Sequence, residues 1–261
     1  MNLNLENKTA IVCGSTQGIG KAAAIELAKL GANVHLLARN KERLLQTKSE
    51  LPNNGHQNHG IIIADFSNHD EVKTAISNFT KFFEAQILVN NTGGPPAGKI
   101  IDASSEEFLN AYNLHLINNH YLVQSLLSGM KKAKYGRIIN VISTSVKAPI
   151  AGLGVSNTTR GAVANWAKTL ANELGEFNIT VNNVLPGLTD TERLSSLINS
   201  KAEKSSQSID QVESQMKNSV PMKRFATAEE CANAIAFLAS PAANYINGIN
   251  LPVDGGRTAS L

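Results

Sequence analysis

Thr9-Ala10-Ile11-Val12-Cys13-Gly14-Ser15-Thr16-Gln17-Gly18-Ile19-Gly20 joins a short apolar run to a glycine-rich turn. The first part has the length and composition of a buried strand, and the second opens a helix. In that helix Ile19, Ala23, Leu27 and Leu30 fall on one face, and Gly31 supplies the stop. Glycines between a strand and a helix allow a tight turn and a close backbone approach, while the free N–H groups at the helix start attract an anion such as a pyrophosphate. The spacing is Gly-x3-Gly-x-Gly, not the commoner Gly-x-Gly-x2-Gly fingerprint. Gly14, Ser15, Thr16, Gln17, Gly18, Ile19 and Gly20 are therefore candidate dinucleotide-binding residues.

Working outward, 34–38 reads as the second strand and 41–51 as a charged helix. Further strands are expected at 60–64, 87–90, 137–143, 179–185 and 249–253, with helices between them. The runs lack polar alternation, as expected when helices cover both faces of a parallel sheet. Thr227 and Glu230 form a capping-box pattern ahead of Cys231, Ala234, Ile235 and Leu238 at helical spacing. The alternation predicts an α/β chain, a single Rossmann-type domain over 1–261 with a doubly wound parallel sheet flanked by helices. Only 188–222 breaks the rhythm. It is polar at 201–208, and Leu194, Leu197 and Ile198 suggest a short helix. Its place after a late strand suits a substrate lid, and equally a solvated surface excursion.

The tip of the second strand should meet the adenosine ribose, where a carboxylate selects NAD and an arginine accepts the 2′-phosphate of NADP. Here stand Ala38-Arg39-Asn40, with Lys41 and Arg43 beyond, so NADP(H) is expected and Arg39 is its discriminating residue.

Composition narrows the classes. With 42% hydrophobic and 17% charged residues, the 261-residue chain can bury a large core. A net charge of +3 gives no electrostatic case for nucleic acid or an anionic membrane. No apolar window is long enough to span a bilayer, and the polar start MNLNLENKTA does not read as a secretory signal. Cys13 and Cys231 lie far apart in apolar stretches and read as buried thiols of a reducing, cytoplasmic compartment. His56, His59 and His69 are assigned to a solvated polar loop, with no metal site. Lys131, Lys132, Lys134 and Arg137 are assigned to a solvated helix end, and no Gly-x-Ser-x-Gly elbow supports a serine hydrolase.

Over nearly its full length the chain resembles the short-chain dehydrogenase/reductase family. Gly14, Gly18 and Gly20 match the family turn, Asp65 followed by Phe66 the adenine contact, and Asn90-Asn91-Thr92-Gly93 the Asn-Asn-Ala-Gly motif. Pro186-Gly187 followed by Thr191 resembles the segment at the nicotinamide end, and Pro252-Val253-Asp254-Gly255-Gly256 the common C-terminal sequence. The resemblance implies reversible hydride transfer between nicotinamide and a small-molecule carbonyl or alcohol. It also implies a homo-oligomer, a tetramer with two-fold axes, for which Leu122, Leu126, Trp166 and Leu170 are candidate apolar surface.

The resemblance breaks at the catalytic set. Ser143 fits the family's serine, but Ser156 stands where the family has tyrosine, Arg160 where it has lysine, and His115 where it has a helix asparagine. A serine hydroxyl is a far weaker acid than a phenol. Arg160 offers a permanent charge and five donors but no proton relay near neutral pH. His115 is the nearby group whose ordinary pKa lies in range, or else a core histidine bonded to backbone. Two functions follow: an NADPH-dependent oxidoreductase in which Ser143 and Ser156 hold the carbonyl, Arg160 supplies field and His115 or water the proton, or a non-catalytic NADP(H)-binding sensor or scaffold.

Overall fold

The computed structural model describes residues 1–260. Its strands are β1 (Thr9–Cys13), β2 (Asn33–Ala38), β3 (Gly60–Ile63), β4 (Ile87–Asn90), β5 (Gly136–Val141), β6 (Ile179–Pro186) and β7 (Asn250–Val253). They form one sheet in the order β3-β2-β1-β4-β5-β6-β7, and every neighbouring pair is parallel. The helices are α1 (Gly18–Lys29), α2 (Lys41–Glu50), α3 (His69–Thr80), α4 (Ser105–Tyr112), α5 (Asn118–Ala133), α6 (Gly154–Leu174), α7 (Glu192–Ser205), α8 (Ile209–Asn218) and α9 (Ala228–Ala239).

Alternate residues of each strand enter different cores. Ala10 and Val12 pack with Leu27 of α1 and Ile235 of α9, whereas Ile11 and Cys13 pack with Ile76 of α3, Leu122 of α5 and Leu170 of α6. The period of two thus distributes a continuous apolar run over two helical layers. The chain winds outward from β1 to β3, then resumes at β4 on the other side of β1. That reversal opens a crevice beyond the carboxyl ends of β1 and β4.

Four asparagines cross the second half of the sheet in register. Asn90 pairs with Asn140, Asn140 with Asn183 and Asn183 with Asn250. Each side-chain amide donates to the next side-chain carbonyl, at 2.8, 2.9 and 2.8 Å. The row pairs most of the polar groups that the sheet would otherwise bury unsatisfied, leaving Asn90 Oδ1 at its start without a partner.

Several expectations need correction. Leu122, Leu126 and Leu170 belong to the monomer core, so they supply no oligomer surface. Arg137 is fully buried, not solvated: its guanidinium stacks on the Tyr135 ring and donates to the Gly136 and Asn178 carbonyls and to Asn244. His59 is also buried, accepting from the Val34 N–H through Nδ1, with Nε2 3.0 Å from the Pro52 carbonyl. His69 lies in the first turn of α3, its Nδ1 2.6 Å from Asn118 Oδ1. The segment 188–222 contains two helices rather than one short one, α7 and α8, closed over Leu194, Ile198, Val212 and Met216. Cys13 and Cys231 are buried free thiols, as expected.

His35 of β2 is wedged against Phe79 and Phe83, and a Cβ on Gly60 of the neighbouring strand would lie 2.3 Å from its Nδ1. Burial, helped by the charges at His59 and Lys48, pushes its pKa down to about 4. The unfolded chain therefore binds a proton between pH 6.5 and 4 that the folded chain refuses, and stability falls as the pH falls through that window. Lowering the pH from 7.5 to 5 should cost about 2 kcal/mol through this ring. Urea midpoints at the two pH values should converge in His35→Phe relative to wild type; an unchanged pH dependence would contradict the assignment.

Candidate active site

The β1–α1 turn has the backbone that its glycines permit. Gly14 and Gly18 lie at φ +58° and +52°, in the left-handed region. A Cβ on Gly20 would lie 2.2 Å from the Gly14 carbonyl oxygen, and one on Gly14 2.5 Å from the Asn91 carbonyl oxygen. Asn91 ties the ends of β1 and β4 together, its side-chain amide donating to the Cys13 and Gly14 carbonyls, both at 3.3 Å. Helix α1, like α5 and α6, starts without a side-chain cap, and no acidic residue stands in its first turn. Its first N–H groups remain available to an anion.

This turn forms one wall of a cavity of about 1400 Å³. Gly14, Thr16, Gln17, Gly18 and Ile19 line it, while Ser15 and Gly20 lie behind the surface. At one end Arg39 extends into solvent, its Nη1 3.6 Å from Asp65 Oδ2, and Arg43 donates to Gln17 Oε1 at 2.9 Å. Arg39 therefore has a carboxylate neighbour from beyond β3, which the tip of β2 does not reveal. Two hydrogen bonds from Ser67, with the charge of Arg39, hold the Asp65 carboxyl below its ordinary pKa. Phe66 lines the same end, its carbonyl accepting from Asn118.

At the other end the cavity is lined by Asn91, Thr92, Gly93, Ser143, Ser156, Arg160, Pro186, Gly187 and Thr191. Ser143 lies two residues past β5 and accepts from the Ser145 N–H at 3.1 Å. Ser156 and Arg160 lie one helical turn apart on α6. The Ser156 hydroxyl makes no hydrogen bond among the described residues, whereas Arg160 is buried and donates from Nη1 to the Val141 carbonyl at 3.2 Å. Gly187 packs where a Cβ would lie 2.7 Å from the Asp254 Cα, and Thr191 caps α7.

His115 does not line the cavity. It is fully buried in a turn of π-helix, Asn113–Ile117, between α4 and α5, with Nδ1 2.6 Å from the Thr92 hydroxyl and Nε2 lacking a protein partner. Burial and the nearby Arg160 charge push its pKa down to about 2. The expectation of a histidine titrating near its ordinary value is thereby corrected: the ring is neutral across the physiological range.

Arg193, in the first turn of α7, lines the cavity and donates to the Pro95 carbonyl at 2.9 Å. Sequence reasoning missed it. The available signal was a local inconsistency, since a cation at a helix N-terminus opposes the macrodipole and so calls for another reason to be there.

Residues 14–258 match the family described as enoyl-(acyl carrier protein) reductase. The chain is 34% identical to the Bacillus subtilis oxidoreductase YvrD, over all of both chains. It is 31% identical to the 3-oxoacyl-[acyl-carrier-protein] reductase FabG of Pseudomonas aeruginosa, over 99% of this chain and all of that one. Among solved structures, the L-sorbose reductase of Gluconobacter frateurii, in complex with NADPH and L-sorbose, superposes with a TM-score of 0.93 at 30% identity over both full chains. The chain belongs to the short-chain dehydrogenase/reductase family of oxidoreductases.

Proposed function

We propose that this short-chain dehydrogenase/reductase is an NADPH-dependent enzyme interconverting a carbonyl and an alcohol on a small molecule, with an atypical catalytic set. One observation carries the reading: a single cavity joins an uncapped helix start and a pair of exposed arginines to half-buried serine hydroxyls and a buried guanidinium. The solved relative with NADPH bound supports the same cofactor here. The turn 14–20 would hold the pyrophosphate, where the close glycine approaches leave no room for side chains. Arg39 and Arg43 would take the 2′-phosphate, Asp65 and Phe66 the adenine. Asn91, Thr92, Gly93, Arg160, Pro186, Gly187 and Thr191 would hold the nicotinamide half.

When bound, NADPH supplies a hydride to the carbonyl carbon, and the oxygen must then gain a proton. Ser143 and Ser156 hold that oxygen, and the Arg160 charge stabilises the alkoxide as it develops. Arg160 retains its own proton near neutral pH, because burial, assisted by Arg193, lowers its pKa only to about 10. Neutral His115 holds no imidazolium proton to give, so it positions Thr92 while water delivers the proton. The segment 188–222 serves as the substrate lid, since Leu194, Leu197, Lys201 and Met216 line the cavity.

We also place the enzyme in the cytoplasm as a homotetramer; no described helix is long and apolar enough to cross a membrane. The self-association surface is Leu109, Tyr112 and Ile117, exposed along α4 and the turn after it, in place of the core leucines. Light scattering should give a multiple of the 27.9 kDa chain mass, and a monomer at micromolar concentration would refute this.

NADPH should bind more tightly than NADH, and Arg39→Ala should lower the preference about 10- to 100-fold, the worth of charge-assisted hydrogen bonds. Equal affinities in wild type would refute the assignment. The chemistry should be slow, because a positioned general acid contributes about 10²- to 10⁴-fold and the serine supplies none. A folded Ser156→Tyr/Arg160→Lys double variant with intact NADPH affinity should therefore turn over a shared carbonyl substrate faster. A slower variant would make Ser156 and Arg160 parts of an efficient alternative mechanism. NADPH binding without turnover across a broad carbonyl panel in both proteins would favour a sensor.

A further inference from the structure

Arg160 and Arg193 come from different helices and flank one backbone position. A Cβ placed on Gly94 would lie 3.9 Å from the Arg160 Nη2 and 3.8 Å from the Arg193 Nη2, with nothing else nearer. Each guanidinium has five N–H donors. Yet Arg160 makes one hydrogen bond, to the Val141 carbonyl, and Arg193 one, to the Pro95 carbonyl. Neither joins an ion pair among the described residues.

This is an expensive arrangement. Arg160 is buried, where a cation is ordinarily paired, whereas Arg193 is exposed to solvent but sets a like charge beside it and opposes the dipole of its own helix. The carboxylates on the cavity wall do not relieve it. Asp65 is engaged with Arg39 at the far end, and Glu192 makes no ion pair with either arginine. Lys201 and Lys204, further along α7, add positive charge to the same wall. The two guanidinium tips flank Gly94, on the wall of the same cavity as the hydroxyls proposed to hold the carbonyl.

We propose that Arg160 and Arg193 together bind a carboxylate of the substrate, so that the enzyme acts on carbonyl compounds carrying an acid group close to the reacting carbon. This rests on the reductase reading for the identity of the reacting group, but the anion site itself does not. Arg193 is then a specificity-determining residue. A guanidinium matches the two oxygens of a carboxylate in its fixed donor fork, which an ester or amide lacks.

The test uses phenylpyruvate and 4-oxopentanoate, each against its methyl ester, titrated calorimetrically into the full-length protein saturated with NADP⁺, where no reduction can occur. Wild type should bind at least one acid about tenfold or more tightly than its ester, the worth of a charge-assisted pair. Arg193→Gln, checked for an unchanged melting temperature, should abolish that preference and leave NADPH affinity unaltered, while Arg193→Lys should keep part of it. Equal binding of acids and esters by wild type overturns the proposal. So does a loss of NADPH affinity in Arg193→Gln as large as the loss for the acid, which would assign Arg193 to the cofactor. Turnover with NADPH is measured separately. Acid-selective binding that depends on Arg193 without any reduction would leave the anion site standing and remove the reductase reading.

Discussion

All seven strands point the same way, so every carboxyl end lies on one edge of the sheet and every return path is a helix. The chemistry has no other place to collect. The turn after β1, the loop after β4, Ser143 after β5 and Pro186–Gly187 at the end of β6 reach a common cavity, although they are scattered along the chain. The reversal between β1 and β4 keeps two consecutive crossovers apart and leaves the crevice open. Asn91 holds that crevice to its width by bonding across it, while the glycines beneath allow the two loops to approach.

What could be read from the sequence was what neighbouring residues decide. The strand of Thr9–Cys13, the glycine turn and the amphipathic helix after it depend on spacing within one short segment, and all are where periodicity places them. The burial of Arg137 depends on Asn244 and Asn178, distant in the chain, so its basic neighbours made it look solvated. His59 misled for the same reason, because the groups that bind it belong to β2 and to the loop after α2. In the candidate site, Ser143, Ser156 and Arg160 were locatable only through the family resemblance, as the positions that match its serine, tyrosine and lysine. The exclusion of His115 from the cavity and the convergence of Arg193 on Gly94 required the fold of the π-turn and of α7 over the sheet.

The electrostatics of the two cavity ends differ in kind. Arg39 is mostly exposed, and water screens its pair with Asp65, so the pair adds little stability and is easily exchanged for another anion. Arg160 is buried, where water screens little and its charge reaches both His115 and Arg193. Its field adds to the burial that keeps the imidazole neutral, and it opposes the second cation. The same charge that would favour an alkoxide thus works with burial against the nearby histidine as an acid.

The asparagine row has a consequence for how this sheet can diverge. The three donating amides point the same way, from Asn90 toward Asn250, so each inner member is donor to one neighbour and acceptor from the other. Replacing Asn140 or Asn183 by a hydrocarbon strands two partners in a dry interior, whereas a change at Asn250 strands one. Drift at these positions is therefore graded from the middle outward. The edge strand can be revised alone, but the central pair is inherited as a unit, and a lineage that loses one of them must rebuild that part of the sheet's interior as apolar.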